Sequence, residues 1–181
     1  SFLGCATTLV TDMANNAVVA VSSSSAIRSS LFIPDTLAPV LTAFDLDMSS
    51  GRLTLSFDET VDVATVNVAS LTILGSPAGG VQYTLTTSTV VTVSANHIVV
   101  IQLSVPDLNG IKSARIAISG STAWLQMTSG GCDDMAGNAL APRMAGVNAL
   151  GVVVFTPDNV RPTLVSFSVD MTLLQLTLSF D

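Results

Sequence analysis

The feature that most constrains this chain is a segment that occurs twice, 123 positions apart. Residues 34–58 align without a gap to residues 157–181, and 13 of the 25 aligned pairs are identical. Both copies begin with Pro-Asp and end in the same six residues, Leu-Thr-Leu-Ser-Phe-Asp. A period of this length exceeds the usual solenoid repeat, so each repeat is expected to form a domain with its own core.

A second pair of matching segments extends the repeat towards the N-terminus. Asp12–Ala17 matches Asp134–Ala139, and Gly4-Cys5 matches Gly131-Cys132 when a short insertion is allowed. Each of these segments lies on the N-terminal side of a Pro-Asp segment. The repeat therefore extends beyond the gap-free alignment of residues 34–58 with residues 157–181.

These matches predict three parts of the chain. Residues 1–31 are expected to be the end of one repeat, residues 32–154 a complete repeat, and residues 155–181 the beginning of a third. We interpret the chain as a window of a longer tandem array.

The residue pattern of the complete repeat favours strands. Residues 40–48 alternate, with Phe44, Leu46 and Met48 on one face, and residues 52–57 return after a Gly-containing turn. Further strands are predicted at Ser70–Leu74, Val81–Thr87, Val90–Ser94, His97–Val105, Ala114–Ile118, Ala123–Met127 and Val147–Phe155, and a loop with one helical turn at Pro106–Lys112. Many short strands without a long helical period predict an all-β Greek-key sandwich.

Composition limits the partners. The formal charge is −7 and Lys112 is the only lysine, whereas nucleic-acid binding needs a basic surface. No apolar stretch approaches the roughly 20 residues that span a bilayer. The mean hydropathy is +0.64 with only 10% charged residues. We therefore expect apolar surface to be covered by neighbouring repeats, or Ser and Thr to carry O-linked glycans, since no N-x-Ser/Thr sequon occurs.

Motifs of catalysis are missing from the sequence. It contains no nucleophile elbow, phosphate-binding loop, dinucleotide-binding glycine pattern or zinc-spaced Cys/His set. The only histidine, His97, shares the parity of the inward residues Val99 and Ile101 at a strand end, where a rim residue with a local hydrogen bond is expected. We expect no enzyme activity.

Acidic residues recur at corresponding positions and predict a possible metal site. If the topology brings them to one pole, their carboxylates would bind Ca²⁺ and stiffen the junction between repeats. The alternative is that Asp and Asn only shape turns there. The candidate ligands are Asp35, Asp58, Glu59, Asp133, Asp134 and Asp158.

Two further residues are candidate contacts between chains. Cys132 and Cys5 occupy equivalent positions, so each is either a small buried thiol or a cross-link to another chain. Trp124 has the parity opposite to Leu125 and Met127 and is expected to point away from the core. It is then either covered by a loop or an anchor for a neighbour.

Three motifs resemble the SbsA-type bacterial Ig-like domain. They are the linker Pro34-Asp35-Thr36-Leu37-Ala38-Pro39, the strand end at residues 53–62, and the segment Asp134–Leu140. Such domains begin with Asp-Thr-x-x-Pro, have a Phe-Ser-Glu-x-Val-Asp strand end and close near Asp-x-x-Gly-Asn. Asp58 stands where this family usually has Ser, and Asn15 stands where Gly137 stands in the later copy.

The resemblance covers essentially the whole complete repeat and implies a fold without catalytic residues. Residues 107–112 resemble a variant from long repetitive surface proteins of algae and protists, which build fibres such as the flagellar hairs called mastigonemes. The expected function is therefore an extracellular or cell-surface filament made by stacked repeats and by lateral contacts between copies. The alternative is the stalk of an adhesin or S-layer-like protein, and a remoter one is an accessory module of an extracellular enzyme.

Overall fold

A computed structural model describes residues 1–180. Within them there are thirteen strands and a single α-helix, with short 3-10 helices between them, so the fold is all-β as predicted. The chain divides into two compact units, residues 1–36 and residue 37 onwards, which are described separately.

The first unit is a small β-structure without a hydrophobic core. Strands β1 (Phe2–Leu3) and β2 (Ile27–Arg28) pair antiparallel, and Cys5 forms an antiparallel bridge with Val21. None of its 36 residues is buried. Large apolar side chains with more than half of their surface exposed include Phe2, Leu3, Val19, Ile27, Leu31, Phe32 and Ile33.

The second unit contains the remaining strands and the helix. In chain order they are β3 (Leu41–Asp47), β4 (Arg52–Val61), β5 (Leu71–Leu74), β6 (Gln82–Thr84), β7 (Thr89–Val90), β8 (Asn96–Gln102), α1 (Val105–Ser113), β9 (Trp124–Met127), β10 (Leu150–Gly151), β11 (Val154–Thr156), β12 (Leu164–Asp170) and β13 (Gln175–Phe180). Five strands form one sheet in the order β11-β3-β4-β8-β7, and four form another in the order β10-β9-β5-β6. Strands β12 and β13 form a separate two-stranded sheet.

One hydrophobic core joins the five-stranded and four-stranded sheets. Alternate residues of β3 and β4 are buried because successive side chains of a strand point to opposite faces. The core residues of the five-stranded sheet include Leu41, Phe44, Leu46, Leu53, Leu55, Phe57, Val99 and Ile101, and those of the other sheet include Leu71, Ile73, Leu125 and Met127. The predicted inward residues of the first hairpin are therefore confirmed.

The β3–β4 hairpin has a counterpart in the β12–β13 hairpin. Phe44 lies opposite Leu55 in the first hairpin, and Phe167 lies opposite Leu178 in the second, each 123 positions later. Both hairpins have a register irregularity near the start of their first strand. In both, the aspartate that ends the first strand accepts hydrogen bonds from two backbone N–H groups of the turn. The two hairpins therefore have the same local geometry.

The two Asp-containing loops also have one geometry. Asp12 accepts hydrogen bonds from the backbone N–H groups of Ala14 and Asn16 and from the Asn16 side-chain amide. Asp134 accepts the same three from Ala136 and Asn138. In each loop the residue before the asparagine has a positive φ, 65° at Asn15 and 88° at Gly137.

Several predicted element bounds need correction. The segment from Pro106 to Lys112 is not a loop with one turn but part of a nine-residue helix, because Ser104 caps its first turn and Pro106 fits there. Ala114–Ile118 is not a strand, since Arg115 and Ala117 have positive φ values of 55° and 52°.

Other predicted strands are shorter than expected. The strand predicted at Val81–Thr87 spans Gln82–Thr84, and the one predicted at Val90–Ser94 ends at Val90. Val147–Phe155 contains two separate short strands, which pair with different sheets. The predicted repeat boundaries at 31/32 and 154/155 stay predictions.

Candidate functional site

A buried carboxylate, Asp107, organises the polar groups around helix α1. Its side chain is fully buried and accepts hydrogen bonds from the hydroxyls of Tyr83, Thr86 and Ser88. It also accepts them from the backbone N–H groups of Thr86, Thr87 and Ser88, and all these distances lie between 2.6 and 3.1 Å. Each carboxylate oxygen thus accepts three hydrogen bonds, which leaves no lone pair for a metal ion or substrate.

These contacts keep Asp107 ionised. Burial alone would raise the pKa of Asp107, but the hydrogen bonds from Ser88, Thr86 and Thr87 hold it well below its usual range. Burial and the Asp107 carboxylate raise the pKa of the Tyr83 hydroxyl, which therefore stays protonated as a donor. A carboxylate that is charged near neutral pH and saturated with donors acts as an anchor and not as an acid or base.

The anchor fixes α1 on the domain. The Oγ of Ser104 accepts the Asp107 backbone N–H at the helix start, and Ile111 is buried under the helix. A Cβ added to Gly110 would lie 2.0 Å from the Tyr83 ring, so only glycine lets the helix approach that ring. The sequence did not predict this site. Its backbone hydrogen-bond donors to Asp107 lie about 20 residues earlier in the chain. The only local indication was the Ser-x-Pro-Asp pattern at the start of the helix.

The candidate calcium ligands serve mainly as hydrogen-bond acceptors. Asp134 is almost fully buried, and its two carboxylate oxygens accept the three loop hydrogen bonds described above. Burial would raise the pKa of Asp134, but the hydrogen bonds from Asn138 and from the loop backbone lower it overall. Within the second unit, oxygens of Glu59 and Asp134 come within 4.8 Å of each other.

The other candidate ligands lie in separate environments. The Asp58 carboxylate accepts the Val40 backbone N–H at 2.8 Å, and the Asp158 carboxylate is paired with Lys112. Asp133 lies in an isolated bridge with Ala139. Asp35 belongs to the first unit. The arrangement favours the alternative that these residues shape turns, and calcium binding stays a prediction.

Trp124 lies on the outer side of the four-stranded sheet. Leu125 and Met127 are fully buried whereas Trp124 is half-buried, so the predicted parity is confirmed. The indole N–H donates to the Ser121 carbonyl at 3.1 Å, and the ring packs over Gly151 of the neighbouring strand. The ring therefore keeps an accessible edge, and its role as an anchor for a neighbour stays a prediction.

The cysteines and the histidine differ in exposure. Cys132 is buried, and burial together with the nearby Asp133 carboxylate raises the pKa of its thiol to about 12. Such a thiol is unreactive near neutral pH, which favours the buried-thiol interpretation over a cross-link. Cys5 is half-buried and also free. His97 is exposed near the start of β8, as expected for a rim residue.

Comparisons with protein-family models, curated proteins and solved structures gave no match. Among residues 1–180, none of the helices has the length and apolar character needed to cross a membrane.

Proposed function

We propose that this chain is part of a tandem array of Ig-like Greek-key β-sandwich domains that works as an extracellular structural protein. The observation that carries the proposal is the repetition of geometry at a spacing of 123 residues. The second hairpin reproduces the bounds of the first strand, the register and the turn hydrogen bonds of the first hairpin. A backbone geometry that recurs at a domain-length spacing is what a domain array is expected to show.

The polar groups support a mechanical role over a catalytic one. The most strongly hydrogen-bonded carboxylate, Asp107, has every lone pair occupied by a donor from the protein itself. The loop aspartates Asp12 and Asp134 are likewise satisfied by their own loops. Such side chains stabilise loops and helix positions and are not poised for proton transfer.

Exposed apolar side chains support contacts between repeats. The β12–β13 hairpin is exposed on both faces, and Phe167 and Leu176 have 68% and 60% of their surfaces accessible. Phe167 and Leu176 are the counterparts of the core residues Phe44 and Leu53, so we infer that the rest of their own repeat covers the inward face of this hairpin. We further infer that outward apolar surface contacts neighbouring copies, as in a mastigoneme-like filament whose exposed Ser and Thr residues carry any O-linked glycans.

Electron microscopy of the native particle, with helical analysis, tests this function. The expected result is a filament with regular lateral contacts between chains and with Trp124 at or near a contact. Isolated beaded stalks that end in another domain would contradict the filament and would favour the adhesin or S-layer-like stalk. A catalytic domain in the same polypeptide would instead favour an accessory module.

A further inference from the structure

Helix α1 ends beside the segment that connects β11 to the β12–β13 hairpin. Lys112, in the last turn of the helix, forms a salt bridge from its Nζ to Oδ2 of Asp158 at 2.8 Å. We propose that the end of α1 is a docking site for the Pro-Asp linker, and that this salt bridge, the linker latch, fixes the direction in which the chain leaves the domain.

The linker is first held where β11 ends. The backbone N–H of Met48 donates to the Thr156 carbonyl at 2.9 Å, which ties the linker to the end of β3. Beyond this contact, Pro157 lines a cleft of about 190 Å³ together with Met48, Ile116 and Ala117. The exposed Pro157 therefore forms one side of a cleft, and the segment after α1 forms another side.

The linker latch connects the helix to the direction of the backbone. Both oxygens of the Asp158 carboxylate are used, because Oδ1 accepts the Val160 backbone N–H at 3.0 Å while Oδ2 binds Lys112. One side chain thus joins α1 to the backbone two residues further along, just before Pro162. Because proline fixes φ and restricts the residue before it, the direction set at Val160 is passed on towards β12.

The helix is suited to hold this charge. Lys112 lies at the C-terminal end of α1, where the helix dipole favours a cation, and it is the only lysine of the chain. The side chains of Lys112 and Asp158 are 42% and 31% exposed, so the pair is less screened than one at a fully exposed surface. The Asp107 anchor holds the start of the same helix in place.

This inference rests on the proposed role of the linkers in an array, but it concerns a single chain and can be tested without assembly. Spin labels at Ser129→Cys and Thr177→Cys in a Cys5→Ser background would report the distance between the domain and the hairpin. Both label sites are exposed, and Cys132 is buried with a raised thiol pKa, so it should not be labelled. Pulsed dipolar spectroscopy at micromolar concentration would give the distance distribution.

Charge exchange separates a latch from an incidental surface pair. The chain with the native pair should give one narrow distance distribution. Either single variant, Lys112→Asp or Asp158→Lys, should lower the ratio of latched to unlatched chains roughly two- to fivefold, as expected for a partly exposed ion pair. The double exchange Lys112→Asp with Asp158→Lys should restore the narrow distribution. The matched control Arg115→Asp makes the same charge change three residues further on and should leave it unchanged.

A broad distribution in the native chain would overturn the latch, and so would single variants whose distributions are indistinguishable from the native one. A double exchange that fails to restore the distribution, with an unchanged Tm showing that the domain is folded, would also overturn it. Raising salt towards 1 M on the native chain requires no substitution and should broaden the distribution, because screening weakens the pair. A narrow distribution would support the latch even if electron microscopy of the native particle contradicted the filament.

Discussion

The two hairpins of this chain have related sequences and equivalent backbone register but opposite surroundings. Phe44 of the β3–β4 hairpin is 1% exposed, whereas its counterpart Phe167 in the β12–β13 hairpin is 68% exposed. The difference lies in what packs on them, because β3–β4 has the β10-β9-β5-β6 sheet over its apolar face and strands β8 and β11 at its two edges.

This difference separates what a hairpin specifies locally from what the domain adds. Register, the position of the irregularity and the Asp-supported turn are the same in both hairpins, so they follow from alternation and turn chemistry. The first hairpin is buried and the second is exposed, so burial does not follow from the hairpin alone. The strands that surround β3–β4 supply its burial. Isolated two-stranded hairpins are marginal in water, and we therefore expect β12–β13 to be much less stable than β3–β4.

The largest effect is expected when the two equivalent phenylalanines, Phe44 and Phe167, are each replaced by alanine. Phe44→Ala should lower the free energy of unfolding by about 3–5 kcal/mol, because it leaves a cavity in the shared core. Phe167→Ala should change it by less than about 0.5 kcal/mol, since an exposed side chain leaves no cavity. Urea unfolding of the two variants measures both values, and a large loss in Phe167→Ala would show that the second hairpin is buried in solution.

The sequence predicted what alternation and repetition determine. Short patterns within a few residues, or the sequence repeat, predict both hairpins, the inward residues of β3 and β4, the outward parity of Trp124 and the matching Asp loops. Asp107 could not be found in this way. Its donors come from residues 83–88, and only the tertiary fold brings them to the helix start.

The helix itself was underestimated for a related reason. Residues 105–113 contain Pro106, Asn109 and Gly110, all poor residues for a helix interior, which made a loop the natural prediction. Pro106 is tolerated in the first turn, and Gly110 is required by the Tyr83 ring. Tertiary contacts therefore override a weak intrinsic propensity, and the same contacts place Lys112 beside the linker.

Loosening α1 should affect one hairpin more than the other. Leu108 of α1 lies against the β3–β4 turn, where a Cβ on Gly51 would meet its Cδ1 at 2.8 Å. Asp107→Asn turns carboxylate lone pairs into N–H donors that face other donors, which should lower the free energy of unfolding by about 1–3 kcal/mol. Amide exchange should become faster in the β3–β4 turn and stay the same in β12–β13. Equal acceleration in both hairpins would contradict a local role for the helix.

The loss in Asp107→Asn should depend on pH in a defined direction. The pKa of Asp107 in the folded protein lies below the value of about 3.9 expected in the unfolded chain, so its stabilisation is fully present above that value. This stabilisation is lost as the pH falls through the folded pKa, because the carboxyl is then protonated in both the folded and the unfolded protein. The difference in unfolding free energy between native protein and variant should therefore be constant from pH 7 to about 5 and shrink below about 4. A difference that grows on acidification would contradict the anchor.

The smallest expected effect distinguishes the turns of the two hairpins. Gly51 and Leu174 occupy equivalent positions with φ values of 70° and 52°, a left-handed conformation that costs a non-glycine residue about 1–2 kcal/mol. Leu174→Gly should therefore raise the protection of the β12–β13 amides about fivefold, an effect near 1 kcal/mol that leaves global unfolding unchanged. The reverse change, Gly51→Leu, adds the same strain and a clash with Leu108, so it should destabilise the domain as a whole. If Leu174→Gly instead lowers the protection, the leucine stabilises its hairpin by packing and the two turns are not equivalent.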